Sequence, residues 1–296
     1  MPKEKTEDQI WLDSPEEAFQ EWISSCNYAP RTVSSYERLF SKLLSFLSEN
    51  RLTLKNVNNT VYRKFIYNLT PLQKTRKIYS KQFYSLFSYL SDIGVLSENP
   101  SKTLVSMEKG RSEKKLPVIL SMDEQRRFLA SIVSGNTWEA KRERTILYTL
   151  IGTGARCVEV SHLKIENVVL DKPAKIRLYG KGRKEREIPL TEDLKLEIED
   201  FLETRGNRPG AFLFANRYGE PPAANSVYMM VRKTMDRAGL VKEKMGPHTL
   251  RHTFATRQFE AGIAPVVIRN WMGHSSLQTT LIYEHVLGTP GGVFPV

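Results

Sequence analysis

The chain has 296 residues, of which 40% are apolar, and this content is enough for a hydrophobic core in each of two ordinary domains. Its 44 Lys and Arg side chains outnumber its 33 Asp and Glu side chains, which gives a formal net charge of +11. We therefore exclude a disordered chain and favour a polyanionic partner, either nucleic acid or an anionic membrane surface, over a small acidic metabolite.

Localisation signals are absent from the sequence. It contains no apolar run of about eighteen residues that would span a membrane, and the N-terminal segment MPKEKTEDQI lacks the apolar core of a signal peptide. Its two cysteines, Cys26 and Cys157, do not form a disulfide framework. We expect no membrane partner and a reducing, cytoplasmic setting.

The first half of the chain has the apolar period of helices. Between residues 14 and 94 this period predicts four helices, one of which begins with proline at Pro30. The third is predicted over residues 59–69 and the fourth over residues 74–93, each followed by a helix-ending Pro or Gly. We predict a helical domain over residues 1–107.

Charge is distributed unevenly within this predicted domain. Residues 1–30 carry two basic and seven acidic side chains, whereas residues 31–90 carry eleven basic and two acidic ones. A charge run is often only a solvated helix face. The strong contrast between adjacent segments favours a surface that faces nucleic acid.

A polar, basic stretch over residues 108–117 has no apolar period and predicts a linker. A second domain, over residues 118–296, then begins with a helix-start pattern at Ser121. A helix that ends near Gly154 follows, and most of the chain beyond Leu194 is helical again, apart from a short C-terminal tail.

Three short runs between these helical regions predict strands, over residues 165–170, 175–178 and 185–190. The last two flank a tight basic turn over residues 180–184. Together with the helices, they predict a mainly α fold with one small antiparallel sheet, of the α+β class.

Four segments of the predicted second domain share a specific pattern: TGARCVEV at 153–160, GKGRK at 180–184, PHTLRHTFAT at 247–256 and MGHSSLQTTLIY at 272–283. Their order and spacing resemble the signature of the tyrosine recombinase (phage integrase) family, including its Xer-like members. The helical first half resembles the core-binding, DNA-binding domain of that family. The resemblance therefore covers nearly the whole chain and implies a core-binding domain followed by a catalytic domain.

The resemblance implies a site for cutting and rejoining DNA through a 3′-phosphotyrosyl intermediate. Guanidinium groups suit the phosphate because each donates two hydrogen bonds and stays charged. His248 and Arg251, three positions apart on a helix, share a face and reach one phosphate together. The implied roles are nucleophile for Tyr283, phosphate clamp for Arg156 and Arg251 with His248, transition-state hydrogen bonding for His274, and general acid for Lys181.

The resemblance also implies how the protein assembles and what it requires. No cofactor is needed, neither ATP nor a metal ion. The expected partner is double-stranded DNA with paired inverted-repeat sites, clamped between the two domains. Strand exchange would proceed through a Holliday junction in a homo-tetramer on two sites, or in an assembly with a related recombinase.

Several alternatives remain open on the sequence. The same residues suit a type IB-like topoisomerase, or a DNA-binding regulator that has lost the reaction. Arg156 could simply form an ion pair with Glu159, and Tyr283 could be a packing residue. Spacing of His248 and His252 resembles a zinc helix, but the glutamate base of that motif is missing. Integration, resolution, cassette capture and chromosome dimer resolution are not distinguished.

Overall fold

The structure is a computed structural model and describes residues 5–107, 116–180 and 185–283. The chain divides into two compact units, Met1–Glu113 and Lys114–Val296, and each has its own hydrophobic core. Both cysteines are free thiols. Within the described ranges, no helix combines the length and the apolar character needed to cross a membrane.

Helices make up the described part of the first unit. Within residues 5–107 they are α1 (Glu7–Asp13), α2 (Pro15–Ser25), α3 (Pro30–Glu49), α4 (Asn59–Leu69), α5 (Gln73–Asp92) and α6 (Lys102–Met107). Proline opens α2 and α3, where the N–H that it lacks would have no partner inside the helix. Asn58 caps α4 by accepting a hydrogen bond from the Val61 N–H at 3.0 Å.

Aromatic side chains form much of the core of this unit. Phe19 of α2 stacks on Phe40 of α3, with ring centroids 4.3 Å apart. Tyr62 of α4 meets Phe87 of α5 edge to face at 5.1 Å, and its hydroxyl donates to Ser80 at 3.2 Å. These contacts join α2 to α3 and α4 to α5 through apolar faces and leave the polar faces to solvent.

In the second unit, helices pack against one face of a small sheet. Within residues 116–180 and 185–283 the helices are α7 (Met122–Ala130), α8 (Trp138–Thr153), α9 (Cys157–Ser161), α10 (Glu192–Arg205), α11 (Ala224–Arg237), α12 (Pro247–Glu260), α13 (Pro265–Met272) and α14 (Gln278–Leu281). Ser121 and Glu124 form a reciprocal capping box at the start of α7.

The sheet is antiparallel, with β1 (Val168–Val169), β2 (Lys175–Tyr179) and β3 (Glu185–Pro189) in that spatial order. Strands β2 and β3 pair from Lys175 with Pro189 to Tyr179 with Glu185. Alternate residues such as Ile176 and Ile188 point into the core, and this alternation fixes the face that the sheet presents to the helices.

The mainly α class and the small antiparallel sheet predicted from the sequence are confirmed, and α4 has the predicted bounds. Two details differ. Short helices α1 and α6 were not predicted, because seven and six residues are too few to establish an apolar period. The first half of the predicted strand over residues 165–170 is a 3₁₀ turn, in which the Ile165 N–H bonds to the Ala211 carbonyl instead of a sheet neighbour, and only Val168–Val169 form β1.

Candidate active site

The turn between α8 and α9 positions Arg156. Gly154 ends α8 in the left-handed conformation, with φ 62°, and a Cβ there would lie 2.5 Å from Phe254 of α12. Arg156 is the N-cap residue of α9; its backbone N–H donates to Glu159 Oε2 at 2.7 Å and its Nη1 to Glu159 Oε1 at 2.9 Å. The ion pair considered from the sequence therefore exists, yet the Arg156 side chain stays 41% exposed and accessible to an anion.

Arg251 lies inside the unit on α12, where it is 5% exposed. Its Nη1 donates to the Gly154 carbonyl at 2.6 Å, and its Nη2 donates to the Met272 carbonyl. Burial, followed by the positive charge of Arg156, lowers its pKa to about 10, so it remains a cation at neutral pH. The guanidinium thus ties the end of α8 to the end of α13.

His248 precedes Arg251 by one helical turn and remains accessible to solvent. Desolvation lowers its pKa, and the positive charges of Arg251 and Arg156 lower it further. The imidazole is therefore neutral at pH 7 and lies in the field of both guanidinium groups.

His274 follows Gly273, which ends α13 in the left-handed conformation with φ 59°. Its Nδ1 lies 2.9 Å from Thr280 Oγ1, which fixes the orientation of the ring. Burial and the charges of Arg251 and Arg156 lower its pKa to about 4. This second imidazole is also neutral at pH 7, and its Nε2 edge is not engaged by Thr280.

Tyr283 follows α14 and is buried, with 2% of its surface exposed. Its hydroxyl oxygen lies 2.8 Å from Nδ1 of His252, and its ring lies 6.4 Å from that of His274 with the planes 15° apart. Burial raises the pKa of the phenol, and the positive charge of Arg251 offsets part of that rise. The phenol is therefore protonated at neutral pH, and it lies beside the histidines, away from the surface.

The fold gathers five of the six residues predicted from the sequence into one electrostatically coupled cluster: Arg156, His248, Arg251, His274 and Tyr283. The sixth, Lys181, lies outside the described residues. Two guanidinium groups beside two neutral imidazoles form a site for an anion with several oxygens, as a phosphodiester has.

Three further residues belong to this cluster, namely Glu159, Arg186 and His252. Glu159 pairs with Arg156, and Arg186 of β3 pairs with Glu159 through two hydrogen bonds of 2.9 and 2.7 Å. Burial raises the pKa of the Glu159 carboxyl, but the hydrogen bonds and charges of the two arginines outweigh it, and the pKa is lowered overall. At the sequence level Glu159 was named only as an ion-pair partner of Arg156, and His252 only for its zinc-like spacing from His248, whereas no local signal singled out Arg186.

The zinc interpretation finds no support in the geometry. Across residues 5–107, 116–180 and 185–283, no three His, Cys, Asp or Glu side chains come together as a metal-binding group. His248 and His252 have ring centroids 6.4 Å apart. Arg251 adds a positive charge that lowers the pKa of both imidazoles.

Known proteins match both the sequence and the fold. Residues 119–289 match the model of the phage integrase family. A tyrosine recombinase of Pseudothermotoga lettingae is 31% identical over 264 residues, which cover 86% of this chain and 87% of that protein. The tyrosine recombinase XerC of Pelobacter propionicus is 30% identical over 268 residues, covering 88% of this chain and 86% of XerC.

Among solved structures, the XerH site-specific recombinase bound to its palindromic difH substrate in a post-cleavage complex has a TM-score of 0.76. It is 26% identical, and the match covers 92% of this chain and 81% of XerH. A lambda integrase dimer bound to a COC′ core site shares the fold, with a TM-score of 0.73 at 18% identity over 97% of this chain and 80% of the integrase.

The mainly helical fold with one small antiparallel sheet matches that of solved site-specific recombinases. Because the family model covers more than half of its length, the chain belongs to the phage integrase family. It is a DNA-binding enzyme of site-specific recombination that cleaves and rejoins DNA. The alternatives of a topoisomerase and of a catalytically silent regulator are not favoured.

Proposed function

We propose that Tyr283 is the nucleophile of strand cleavage. Its phenolate oxygen forms a bond to the scissile phosphorus, the bond from phosphorus to the 5′ oxygen breaks, and the 3′ end stays attached to the enzyme. A 5′ hydroxyl from a partner strand then reverses the step. One phosphodiester is exchanged for another, so this reaction draws on neither ATP nor a metal ion.

The observation that carries the proposal is the position of Tyr283 beside His252 and His274, within the field of Arg251. Attack adds negative charge to the non-bridging oxygens of the phosphate. Arg156 and Arg251 would bind those oxygens, and His248 and His274 would act as neutral hydrogen-bond partners. Donors that are already fixed before attack need no reorganisation in the transition state.

The departing 5′ oxygen needs a proton. We propose Lys181 as the general acid, supported by its place in the basic segment GKGRK that resembles the family signature. The phenolic proton of Tyr283 has to leave before or during attack, and the raised pKa of the buried phenol makes this loss costly until DNA is bound. Accordingly, DNA binding should be accompanied by movement of Tyr283 away from His252.

We further propose residues 1–107 as the DNA-binding domain, residues 108–117 as a linker and residues 118–296 as the catalytic domain. Exposed basic side chains on α3 and α5 support the first assignment, namely Arg38, Lys42, Lys74 and Lys81. Both domains would bind duplex DNA, in the bacterial or archaeal nucleoid.

Paired inverted-repeat sites, a Holliday junction and a tetramer on two sites complete the proposal. XerH, which was solved on a palindromic substrate, supports the inverted repeats by its similarity. A related recombinase could replace half of the homo-tetramer. Which site the protein recombines decides whether it integrates, resolves or excises DNA.

The nucleophile is tested with a nicked suicide duplex, in which the short fragment that carries the new 5′ hydroxyl diffuses away after cleavage, so that the covalent product cannot be religated. The target is chosen from the DNA that flanks the coding region, searched for a short inverted repeat with a central spacer. Tyr283→Phe should bind this duplex normally and form no denaturation-resistant protein–DNA adduct. Gel separation after boiling in detergent measures the adduct.

Tyr218→Phe is the matched control, because Tyr218 is 69% exposed and contacts none of the site residues named above. It should form the adduct at the rate of the natural protein. An undiminished adduct with Tyr283→Phe would refute the assignment of the nucleophile.

A further inference from the structure

Arg186 occupies an unusual position for a strand arginine. Its side chain is 7% exposed and pairs with the equally buried Glu159 through both terminal nitrogens, as described above. Its third donor, Nε, bonds to the Trp271 carbonyl at 2.8 Å. A buried guanidinium with all three edges engaged holds its neighbours in one arrangement, because its donors form a rigid planar fork.

Glu159 is shared between two arginines. Each of its oxygens accepts one bond from Arg186 and one from Arg156, which contributes its side chain to Oε1 and its backbone N–H to Oε2. The position of the half-exposed Arg156 therefore depends on the buried Glu159 carboxylate, and the position of that carboxylate depends in turn on Arg186. Without Arg186, Glu159 would keep a single guanidinium partner and its bidentate anchor would be lost.

The other end of Arg186 belongs to a set of three arginines at the C-terminus of α13. The carbonyls of three consecutive residues each accept a bond from a different arginine: Trp271 from Arg186, Met272 from Arg251 and Gly273 from Arg156 at 3.5 Å. Terminal carbonyls of a helix lack partners within the helix and attract cations. His274 is the next residue, so these bonds also fix the position of the backbone from which its imidazole ring extends.

Packing at Gly273 reinforces the same contact. A Cβ at this position would lie 3.2 Å from Cδ and Nη1 of Arg186, and the backbone has φ 59°. The Arg186 guanidinium thus lies against the turn that leads from α13 to His274.

We propose that Arg186 is a positioning residue for the cleavage reaction. It joins strand β3 to Glu159 and to the end of α13, and so sets the places of Arg156 and His274 relative to the scissile phosphate. This inference rests on the proposed function, in which these two residues stabilise the transition state.

The test is single-turnover cleavage of the nicked suicide duplex by Arg186→Lys and Arg186→Met. The lysine keeps the charge and loses the fork, and the methionine loses both. Affinity for the duplex should stay within about threefold, whereas the rate constant for cleavage should fall about 100-fold, the cost of a displacement of about 1 Å at a reacting centre. Arg177→Met is the control, because Arg177 pairs with Glu185 and Glu187 on the same two strands, away from the site.

Amplitude and rate constant separate positioning from folding. If Arg186 only stabilised the fold, its variants would lower the amplitude, which counts active molecules, and leave the rate constant of the remaining molecules unchanged. That outcome would overturn the proposal. A slower rate constant at normal amplitude supports it.

A second substrate identifies what the displacement affects. When a methyl group replaces one non-bridging oxygen of the scissile phosphate, the ground-state negative charge is removed, and a well-placed Arg156 matters less. The ratio of the cleavage rate constant of the natural protein to that of the variant should then shrink from about 100 to below about 10. Release of the short fragment that carries the 5′ hydroxyl measures this rate constant for each diastereomer. An unchanged ratio for both diastereomers would contradict a role through Arg156.

Failure of this inference is distinguishable from failure of the proposed function. If Tyr283→Phe still forms the adduct, the proposed nucleophile is wrong. If Tyr283→Phe is inert while both Arg186 variants cleave like the natural protein, only the positioning role is wrong.

Discussion

Histidines of the candidate site carry no charge at neutral pH. His252 and His274 both have pKa values of about 4, for the same first reason, burial, with nearby positive charges acting in the same direction. A neutral ring lets His252 bond to the phenol of Tyr283 and lets His274 bond to Thr280 without adding positive charge to a region that already holds Arg251.

Loss of stability in acid should follow from these two histidines. Below pH 6.5 the unfolded chain takes up protons at both, whereas the folded chain takes them up only near pH 4. The unfolded state binds more protons in that window, so the free energy of unfolding should fall as the pH drops from 6.5 to 4, by on the order of 1–3 kcal/mol for His252 and by less for His274, which solvent screens more. Urea unfolding at several pH values measures it. His252→Asn and His274→Asn should each flatten the slope, and slopes equal to that of the natural protein would contradict the argument.

The two arginines of the proposed clamp differ in burial, and their replacement should have different costs. Arg156→Ala and Arg251→Ala should each slow cleavage by about 3 kcal/mol of transition-state stabilisation. Only Arg251→Ala should also lower the free energy of unfolding substantially, by about 2–4 kcal/mol, because it leaves the Gly154 and Met272 carbonyls unpaired inside the unit. Arg156→Ala leaves Glu159 paired with Arg186. Denaturant unfolding and suicide cleavage, measured on the same preparations, separate the two effects. Equal destabilisation by both variants would be inconsistent with this view.

At the scale of elements, the contact between α8 and α12 positions Arg156 and Arg251, the two arginines of the proposed clamp. Gly154 lets α8 end against Phe254, and the Gly154 carbonyl then accepts a bond from Arg251 on the same helix as Phe254. The first predicted clamp residue, Arg156, follows two positions later. One turn therefore supplies both the packing contact between the helices and an anchor for each arginine.

Gly154→Ala should disturb this contact more than a positive φ alone explains. The left-handed conformation costs a non-glycine residue about 1–2 kcal/mol. The added methyl group would also collide with Phe254, for a total of about 2–4 kcal/mol in the free energy of unfolding. Gly262→Ala is the matched control, because Gly262 has φ 76° with open space around it, and should cost only the backbone term. Similar losses in thermal or denaturant unfolding for both variants would show that packing at Phe254 does not matter.

At the scale of the whole molecule, charge governs the encounter with DNA. The formal net charge is +11, and the basic excess of the first unit lies in residues 31–90. Backbone phosphate contacts release counterions, so affinity should fall steeply with salt, by about 10³ between 50 and 200 mM if about six phosphates are neutralised.

Exposed lysines of α5 allow a test of where those contacts lie. Lys74→Ala and Lys81→Ala should weaken binding and reduce the slope of log affinity against log salt by about one each. Lys5→Ala is the control, since Lys5 lies in the acidic N-terminal region and pairs with Asp13 at 2.6 Å. Fluorescence anisotropy with a labelled duplex measures the slope. An unchanged slope for both α5 variants would show that these lysines do not contact the DNA phosphates and that the interface lies elsewhere.

Local sequence determined a large part of this protein. Apolar period and capping residues predicted α2 to α5 and the bounds of α4, and the alternating runs at β2 and β3 predicted the hairpin. These features depend on neighbours within a few residues, so a single sequence displays them. The motifs that resemble the family signature also contained Arg156, His248, Arg251, His274 and Tyr283, the five candidate site residues that the fold brings together.

Only the tertiary structure decided how those side chains are supported. Arg186 and Trp271 are 85 positions apart, and Arg156 and Gly273 are 117 apart, so no local pattern could reveal that both arginines meet the end of α13. The burial of Tyr283 against His252 is equally a matter of packing. Sequence named the candidate reactive groups because the chemistry of a side chain is intrinsic to its residue type, whereas the distances between these groups, their pKa values and their shared partners arise from contacts that exist only in the folded chain.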